Sequence, residues 1–360
     1  MDKVSFKAGE IRQAIKYAEK AIPSTPGLLA FSALNFIINL NELTVIGSDG
    51  DITNSTKIKV EASNKFSFLL PPKPILGYLA TIPDDEDITL IYNENEDVEL
   101  SRKDTAKYLL RPLSTTYPPA IVANSPEQSL ILDDLEGIVK AIKPSTGKEN
   151  QSILIESKID SISFCSTDGY RLTKVEVRGQ SFGEAKLHLP LKVLENLSKI
   201  SVNKVQIDTK NDIIRFSSDS ASVTARQIAT PHQNVDNIVS KHVDFTYEAV
   251  LNKDQIIPAL NRLLAVSEGE PLVCEIKKDQ MTLSVSNISL GSGSENITLT
   301  HSNCDELKFG VSLTYLKDAV SAHTSSDIKI KLNSPLDPIF LLSESSKPVL
   351  SIVMPVKINN

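Results

Sequence analysis

The sequence predicts an α+β protein made of three like domains in a row. Three observations carry that reading. Helix-type and strand-type apolar periodicities alternate in the same order three times along 360 residues. The stretch entering the second helix of each round keeps one pattern: Lys65-Phe66-Ser67-Phe68, Lys186-Leu187-His188-Leu189 and Lys308-Phe309-Gly310-Val311. The rounds begin roughly 120 residues apart, well beyond the ~20–50-residue periods of solenoids, so each is a whole domain. The expected bounds are 1–122, 127–244 and 245–360, with linkers at Tyr117-Pro118-Pro119, at Asn124-Ser125-Pro126 and around residues 231–245.

In the first round, Ile11, Ala14, Ile15, Ala18 and Ile22 share one helical face, and Arg12, Lys16 and Lys20 the opposite one. Strand-type runs follow over residues 34–40, 43–47, 52–60 and 66–70. Pro72-Lys73-Pro74 opens a second helix, since proline is tolerated in a first turn. Three more strands follow near residues 88–92, 98–100 and 107–110. The second round repeats this. Leu132, Leu135, Ile138, Val139 and Ile142 form an apolar face with Lys140 and Lys143 off it. Val193, Leu194, Leu197 and Ile200 form the second helix, flanked by Lys192 and Lys199. In the third, Asn252 is a candidate N-cap for a helix with Ile256, Ile257, Leu260, Leu263 and Leu264 inward and Arg262 opposite. Pro258 inside that pattern predicts a kink or a later start. Residues 291–294, Gly-Ser-Gly-Ser, read as a flexible loop without the Lys-Ser/Thr of a phosphate-binding loop. The last helix carries Leu316 and Val320 with Lys317 beside them.

Composition narrows the function. Apolar residues make up 41%, enough for packed cores, and 38 basic against 45 acidic residues give a net charge of −7. A uniformly basic nucleic-acid binder is excluded, but basic residues gathered on one face are not. Repeated helices with cations opposite their apolar faces supply such a gathering. Acidic residues such as the run Asp84-Asp85-Glu86-Asp87 and the group Glu94, Glu96, Asp97 and Glu99 are expected on the other side. Cys165, Cys274 and Cys304 are scattered, which points to reduced thiols and a cytoplasmic protein. No run of about 18 apolar residues exists to suggest a membrane span. The histidines, His188, His232, His242, His301 and His323, have no metal-ligand spacing, so neither metal nor cofactor is expected.

One hexapeptide stands out: Thr167-Asp168-Gly169-Tyr170-Arg171-Leu172, between two alternating apolar runs. Asp-Gly there is a hairpin signal. A hairpin does not need the Arg and Leu that follow. An Arg on a turn can fix a carboxylate or backbone carbonyls, and a Leu adds apolar surface. The turn reads either as a plain hairpin or as the rim of a partner-binding pocket. Ser48-Asp49-Gly50 repeats it weakly in the first round.

These features resemble the bacterial DNA polymerase III β sliding clamp family over the whole chain. Three repeats, the hexapeptide where the family has Thr-Asp-Gly-His-Arg-Leu, and the closing Val353-Met354-Pro355-Val356 carry the resemblance. It implies a DNA clamp fold: three domains, each with two helices on antiparallel sheets, closing head to tail into a six-domain homodimeric ring. Twelve helices spaced ~9 Å apart leave a hole of roughly 24 Å, so a duplex passes without being gripped. The implied partner is double-stranded DNA, held topologically and without sequence preference. The cations facing it would be Arg12, Lys16, Lys20, Lys73, Lys140, Lys143, Lys192, Lys199, Arg262 and Lys317.

The resemblance also implies a pocket for peptides of DNA polymerase, clamp loader subunits and other replication or repair proteins. Carried over by position, it comprises Thr167, Gly169, Tyr170, Arg171, Leu172, Ile238, Ser312, Tyr315, Leu336, Pro338, Ile352, Val353, Met354, Pro355 and Val356. Ring closure would use Tyr108 and Leu110 against Ala265 and Val266. The chain departs from the family at residues 233–237, in a shortened loop at 146–152, and in the longer tail Lys357-Ile358-Asn359-Asn360. On this reading the protein is a non-catalytic processivity subunit. The alternatives are a β-rich scaffold without a DNA role and a hydrolase using Asp168 with Arg171.

Overall fold

The computed structural model describes all residues except 1, 94–96, 103–105, 133, 148–150, 231–234, 242–243 and 359–360. Glu94, Glu96, His232, His242, the middle of the 146–152 loop, residues 233–234 and the last two of the tail therefore lie outside the described residues. The helices are α1 (Ala8–Ala18), α2 (Pro72–Leu79), α3 (Leu135–Ile142), α4 (Leu191–Leu197), α5 (Val235–Ser240), α6 (Lys253–Leu263) and α7 (Leu313–Ala322).

Every round builds two antiparallel half-sheets of four strands. In the first round, half-sheet 1A is ordered Phe66–Leu70, Leu34–Asn39, Glu42–Ser48, Ile52–Lys59; half-sheet 1B is Asp2–Lys7, Asp87–Tyr92, Val98–Arg102, Ala106–Leu110. The same order recurs. Half-sheet 2A is Ala185–Pro190, Ser152–Lys158, Ser161–Thr167, Arg171–Arg178; 2B is Gln128–Leu132, Val202–Asp208, Ile213–Ser217, Ala221–Arg226. Half-sheet 3A is Leu307–Ser312, Pro271–Lys277, Gln280–Asn287, Gly291–Thr298; 3B is Tyr247–Asn252, Asp327–Leu332, Ile339–Ser343, Val349–Val353, with His301–Ser302 added outside Tyr247.

The half-sheets join across rounds. Ile52–Lys59 pairs with Ala221–Arg226, Asn54 opposite Val223, so 1A and 2B form one eight-stranded sheet. Arg171–Arg178 pairs with Val349–Val353, Arg171 opposite Val353, so 2A and 3B form one nine-stranded sheet. Half-sheets 1B and 3A stay four-stranded. The chain accordingly packs as two units, Met1–Asp133 with Lys192–Gln227, and Asp134–Leu191 with Ile228–Asn360. The middle round gives one half-sheet to each.

The first unit is cored by Ile11 and Ile15 of α1 against Phe36, Ile38 and Val45 of the sheet, with Ile75 and Leu79 of α2. In the second, Ile256, Leu260 and Leu263 of α6 meet Leu316 and Val320 of α7 over Leu272, Leu283 and Phe309. Burying each such side chain stabilises by about 1.5–3 kcal/mol. The periodicities read from the sequence are these buried faces.

Two expectations change. Helix α6 starts at Lys253, with the Asn252 side chain accepting from Asp254 N–H at 3.0 Å, and Pro258 sits inside it. Apolar burial of Ile256, Leu260 and Leu263 on either side outweighs the one main-chain bond proline forfeits. Residues 291–294 are not a loop. They begin the edge strand Gly291–Thr298, paired in continuous register with Gln280–Asn287. Propensity misleads there because an edge strand needs pairing on one side only and buries little.

Candidate functional site

Thr167 and Asp168 lock the hexapeptide turn. Thr167 Oγ1 donates to the Arg171 carbonyl at 2.8 Å and accepts from Gly169 N–H at 3.1 Å. Asp168 Oδ1 accepts from the main-chain N–H of Tyr170 and of Arg171, each at 3.0 Å. Gly169 has φ +88°, which a side chain would strain. The same Asx turn closes 1A, where Asp49 accepts from Asp51 and Ile52, and 3A, where Asn287 accepts from Ser289 and Leu290. The third copy escaped the sequence reading because Asn287-Ile288 lacks the Asp-Gly signal.

Arg171 separates the second-round turn from the others. Its Nε donates to Asp168 Oδ2 at 3.0 Å, and a terminal nitrogen donates to Asp318 Oδ2 of α7 at 2.6 Å. Its guanidinium lies 4.1 Å from the centre of the Tyr315 ring. Ser312 caps α7, its Oγ accepting from Tyr315 N–H at 3.4 Å. The turn is thereby tied to α7 through one ion triad and one aromatic face. Asp168 has both oxygens committed to the turn, which removes it as a free catalytic carboxylate.

Around this tie the carried-over residues divide into surface and support. Tyr170, Leu336 and Met354 are exposed by 66%, 63% and 39%. Met354 N–H donates to the Tyr170 carbonyl at 2.8 Å, so these two neighbour each other. Pairing of Ile339 with Val353 brings the Leu336 and Pro338 loop alongside. Pro355 bridges to Val311, and Val356 N–H donates to the Gly310 carbonyl at 2.9 Å. A Cβ on Gly310 would stand 2.4 Å from the Val356 carbonyl oxygen, so only glycine admits the tail there. Leu172, Ile352 and Val353 are buried. They occupy adjoining inner strands of a nine-stranded sheet. Leu172 and Ile352 pack with Cys165, Val235 and Phe340, with Ile238 of α5 against them. They fix the floor; Tyr170, Leu336, Met354 and half-buried Tyr315 form the accessible apolar surface.

The expected DNA-facing cations also divide. Lys16, Lys20, Lys73, Lys140, Lys143 and Lys199 are exposed, and Lys317 is half-buried. Lys20 lies near Lys199; burial, and then that like charge, hold its ammonium below its ordinary range. Lys192 bonds to Asp49 at 3.4 Å and to the Ala21 carbonyl. Arg262 holds Glu295 through two bonds of 2.7 and 2.8 Å. Arg12 is a structural group: it donates to the carbonyls of Leu79, at the end of α2, and Ile82, just beyond it, and pairs with Asp84. Helical periodicity placed it opposite the apolar face but could not show that α2 ends beneath it. Lys253, missed in the sequence, does likewise at the end of α7, donating to the Ser321 and His323 carbonyls. Within the acidic run, Glu86 is buried and holds Arg102 at 2.6 Å.

Tyr108 is half-exposed and Leu110 half-buried on the outer strand of 1B. Ala265 and Val266 sit in a 3₁₀ turn beside the outer strand of 3A. His188 bonds to the Thr230 carbonyl and buried His323 to Ser343 Oγ at 2.7 Å. Among the described residues no three His, Cys, Asp or Glu side chains are grouped to hold a metal. Nor is any described helix long and apolar enough to cross a membrane.

Residues 243–357 match the family model for the DNA polymerase III beta subunit, C-terminal domain. The chain is 20% identical to the beta sliding clamp of Synechococcus elongatus, over 99% of this chain and 100% of that one. The DNA polymerase sliding clamp of Bacillus subtilis superposes with a TM-score of 0.90 at 16% identity, covering 99% and 100% of the two chains. The DNA polymerase III subunit beta of Bartonella birtlesii, solved bound to griselimycin, superposes with a TM-score of 0.88 at 17% identity over 99% and 100%.

Proposed function

We infer that this chain, a divergent member of the bacterial β sliding clamp family, is a non-catalytic processivity factor that encircles duplex DNA and tethers a DNA polymerase to it. One observation carries the reading beyond the likeness of fold. Three rounds make six half-sheets, and four of them join in pairs across rounds. The two left over, 1B and 3A, are the kinds that join elsewhere in the chain. A contact of that kind between copies is heterologous, and two copies close it into a ring of six repeats.

Topological enclosure accounts for the charge. A protein of net charge −7 holds DNA poorly by attraction alone, whereas a closed ring needs only a modest lining of Lys and Arg to track phosphates. Exposed Lys16, Lys20, Lys73, Lys140, Lys143 and Lys199 supply that lining on this reading. Repeats 1–122, 127–244 and 245–360 are the domains of the ring. The hexapeptide site, with Tyr170, Leu336, Met354 and Tyr315, takes short apolar peptides of polymerase, clamp loader and repair partners. Its place of action is the cytoplasm, in keeping with three buried cysteines that form no disulfide with one another.

The test is retention on DNA. Loaded onto nicked circles, the protein should stay bound through gel filtration and be lost when the circle is linearised. Equal retention on both forms would reject enclosure, and no retention on either would favour a scaffold without a DNA role.

A further inference from the structure

The two sheet joins inside the chain can be laid over each other. Each begins just after an Asp-Gly turn, Asp49-Gly50 in one and Asp168-Gly169 in the other, with Ile52 opposite Ala225 and Arg171 opposite Val353. Ser55, Ser222 and Ser217 therefore correspond to Lys174, Leu350 and Leu342, and Arg215 corresponds to Phe340. Directly opposed residues share one face of a sheet. At the second join that face is apolar and covered: Phe340, Leu342 and Leu350 pack with Ile238 and Val239 of α5 and with Phe245. At the first join the same positions carry hydroxyls and a guanidinium, which an apolar cover would strand. Asn54 bonds to the Tyr17 carbonyl of α1 at 3.0 Å, so its neighbour Ser55 points the other way, out of the helix layer.

This outward face holds a cavity of about 220 Å³. Ser55, Ser217, Ser222 and Arg215 line it, with Lys57 and Lys204. Ser217 and Ser222 are each only 5% exposed, and Arg215 is half-buried. Among the described residues, no group bonds the hydroxyls of Ser55, Ser217 and Ser222 or the Arg215 guanidinium. Buried polar groups nearly always have a partner, and a half-buried cation is costly to leave without one. Lys57 and Lys204 are held by exposed Glu42 and Glu127 at 3.1 Å each, contacts that water already weakens. Asp219 at the rim is engaged by the Asn203 amide at 3.2 Å. Three cations against Glu127 and Asp219 leave the lining positive on a chain of net charge −7. The volume lies below the ~300–1,000 Å³ of drug-sized ligands, which favours a small ion.

We propose that this cavity binds a small phosphate-type oxyanion, inorganic phosphate or pyrophosphate. The planar fork of Arg215 donates to two of its oxygens. The hydroxyls of Ser217 and Ser222 donate to the others, and Lys57 and Lys204 turn inward from their glutamates. The site depends neither on ring closure nor on the hexapeptide turn.

The test is equilibrium dialysis of the full chain with labelled inorganic phosphate and with labelled pyrophosphate, at constant ionic strength in chloride. One saturable site per chain is expected. Arg215→Gln, and separately Ser217→Ala with Ser222→Ala, should weaken it at least tenfold with the urea midpoint unchanged. Lys57→Gln, at an exposed position, should weaken it at least threefold and serves where an inner variant fails to fold. Arg226→Gln alters an exposed cation outside the cavity and should bind like the parent. A phosphoserine peptide should bind no better than inorganic phosphate; a peptide that binds at least tenfold better would give the site to a phosphorylated partner and overturn the free ion. No saturable binding of either ion below millimolar concentration, or an affinity unchanged by Arg215→Gln, overturns the site itself.

Discussion

Replacing Arg171 with Ala removes the cation that ties the hexapeptide turn to α7. Its side chain is 14% exposed, that of Asp168 13% and that of Asp318 30%. Each charge-assisted bond is worth about 1.5–3 kcal/mol, and the stack on Tyr315 about 0.5–2 kcal/mol. These do not add, because all three share one guanidinium. Asp318 rehydrates in part once unpaired, which lowers the loss. The second unit should lose about 2–4 kcal/mol of stability. Adding Asp318→Asn should restore about 1 kcal/mol by deleting the stranded charge. Lys at 171 should recover little, since it offers neither the fork nor the flat face. Tyr315, no longer held, must then be ordered by the ligand, a cost of about 0.5–1.5 kcal/mol, or roughly two- to tenfold in peptide affinity. The assays are urea unfolding followed by far-UV circular dichroism, the chain having no Trp, and anisotropy titration with a labelled Gln-Leu-Phe-type peptide. Unfolding curves that superimpose on the parent's, with unchanged peptide affinity, would refute the tie.

Other expectations follow from the same structure. Lys16, Lys20, Lys73 and Lys199 changed together to Glu should shorten retention on nicked circles at low salt while the dimer persists; undiminished retention would remove these residues from a DNA channel. Arg12→Ala should instead destabilise the first unit by about 1–3 kcal/mol, read as a lower urea midpoint, because the carbonyls of Leu79 and Ile82 lose their donor. Tyr315→Ala should abolish peptide binding without altering the dimer mass by light scattering. Burial, and then Lys253, push His323 down to about 4 from 6.5. Its folded form stays neutral while the unfolded chain takes a proton, so stability present above pH 6.5 is lost as pH falls toward 4, by about 3 kcal/mol. Urea midpoints of the parent and His323→Gln at pH 7 and pH 4.5 check this; an equal pH dependence in both would clear His323 of any part.

The sequence disclosed most where burial is periodic. The apolar faces of α1, α3 and α6 and the three lead-ins to α2, α4 and α7 are core positions, and hydrophobic spacing reports core directly. It disclosed least where a partner is distant along the chain. Nothing near Arg12 indicates that the carbonyls of Leu79 and Ile82 end beneath it. Nor does anything near Leu172 or Val353 reveal that the strands around them have neighbours on both sides. The strand at Gly291 was hidden by composition, since glycine and serine carry the local signal of a loop. Of the site, the turn and the closing Met354-Pro355 were legible as motifs. The bond from Arg171 to Asp318 was not, because it joins residues far apart in sequence.

The sharing of sheets between rounds also bears on the order in which the protein can be made. Strand Arg171–Arg178 has its outer partner in Val349–Val353, which is made roughly 170 residues later. At ~5–20 residues per second the wait is roughly 10–35 s. Half-sheet 2B, by contrast, meets a finished partner in 1A as soon as it emerges. The nascent chain thus completes its first unit early, and carries half-sheet 2A with an open edge until Val349–Val353 arrives. That interval, rather than any weakness of the finished molecule, is when the chain is most exposed to mispairing with its neighbours.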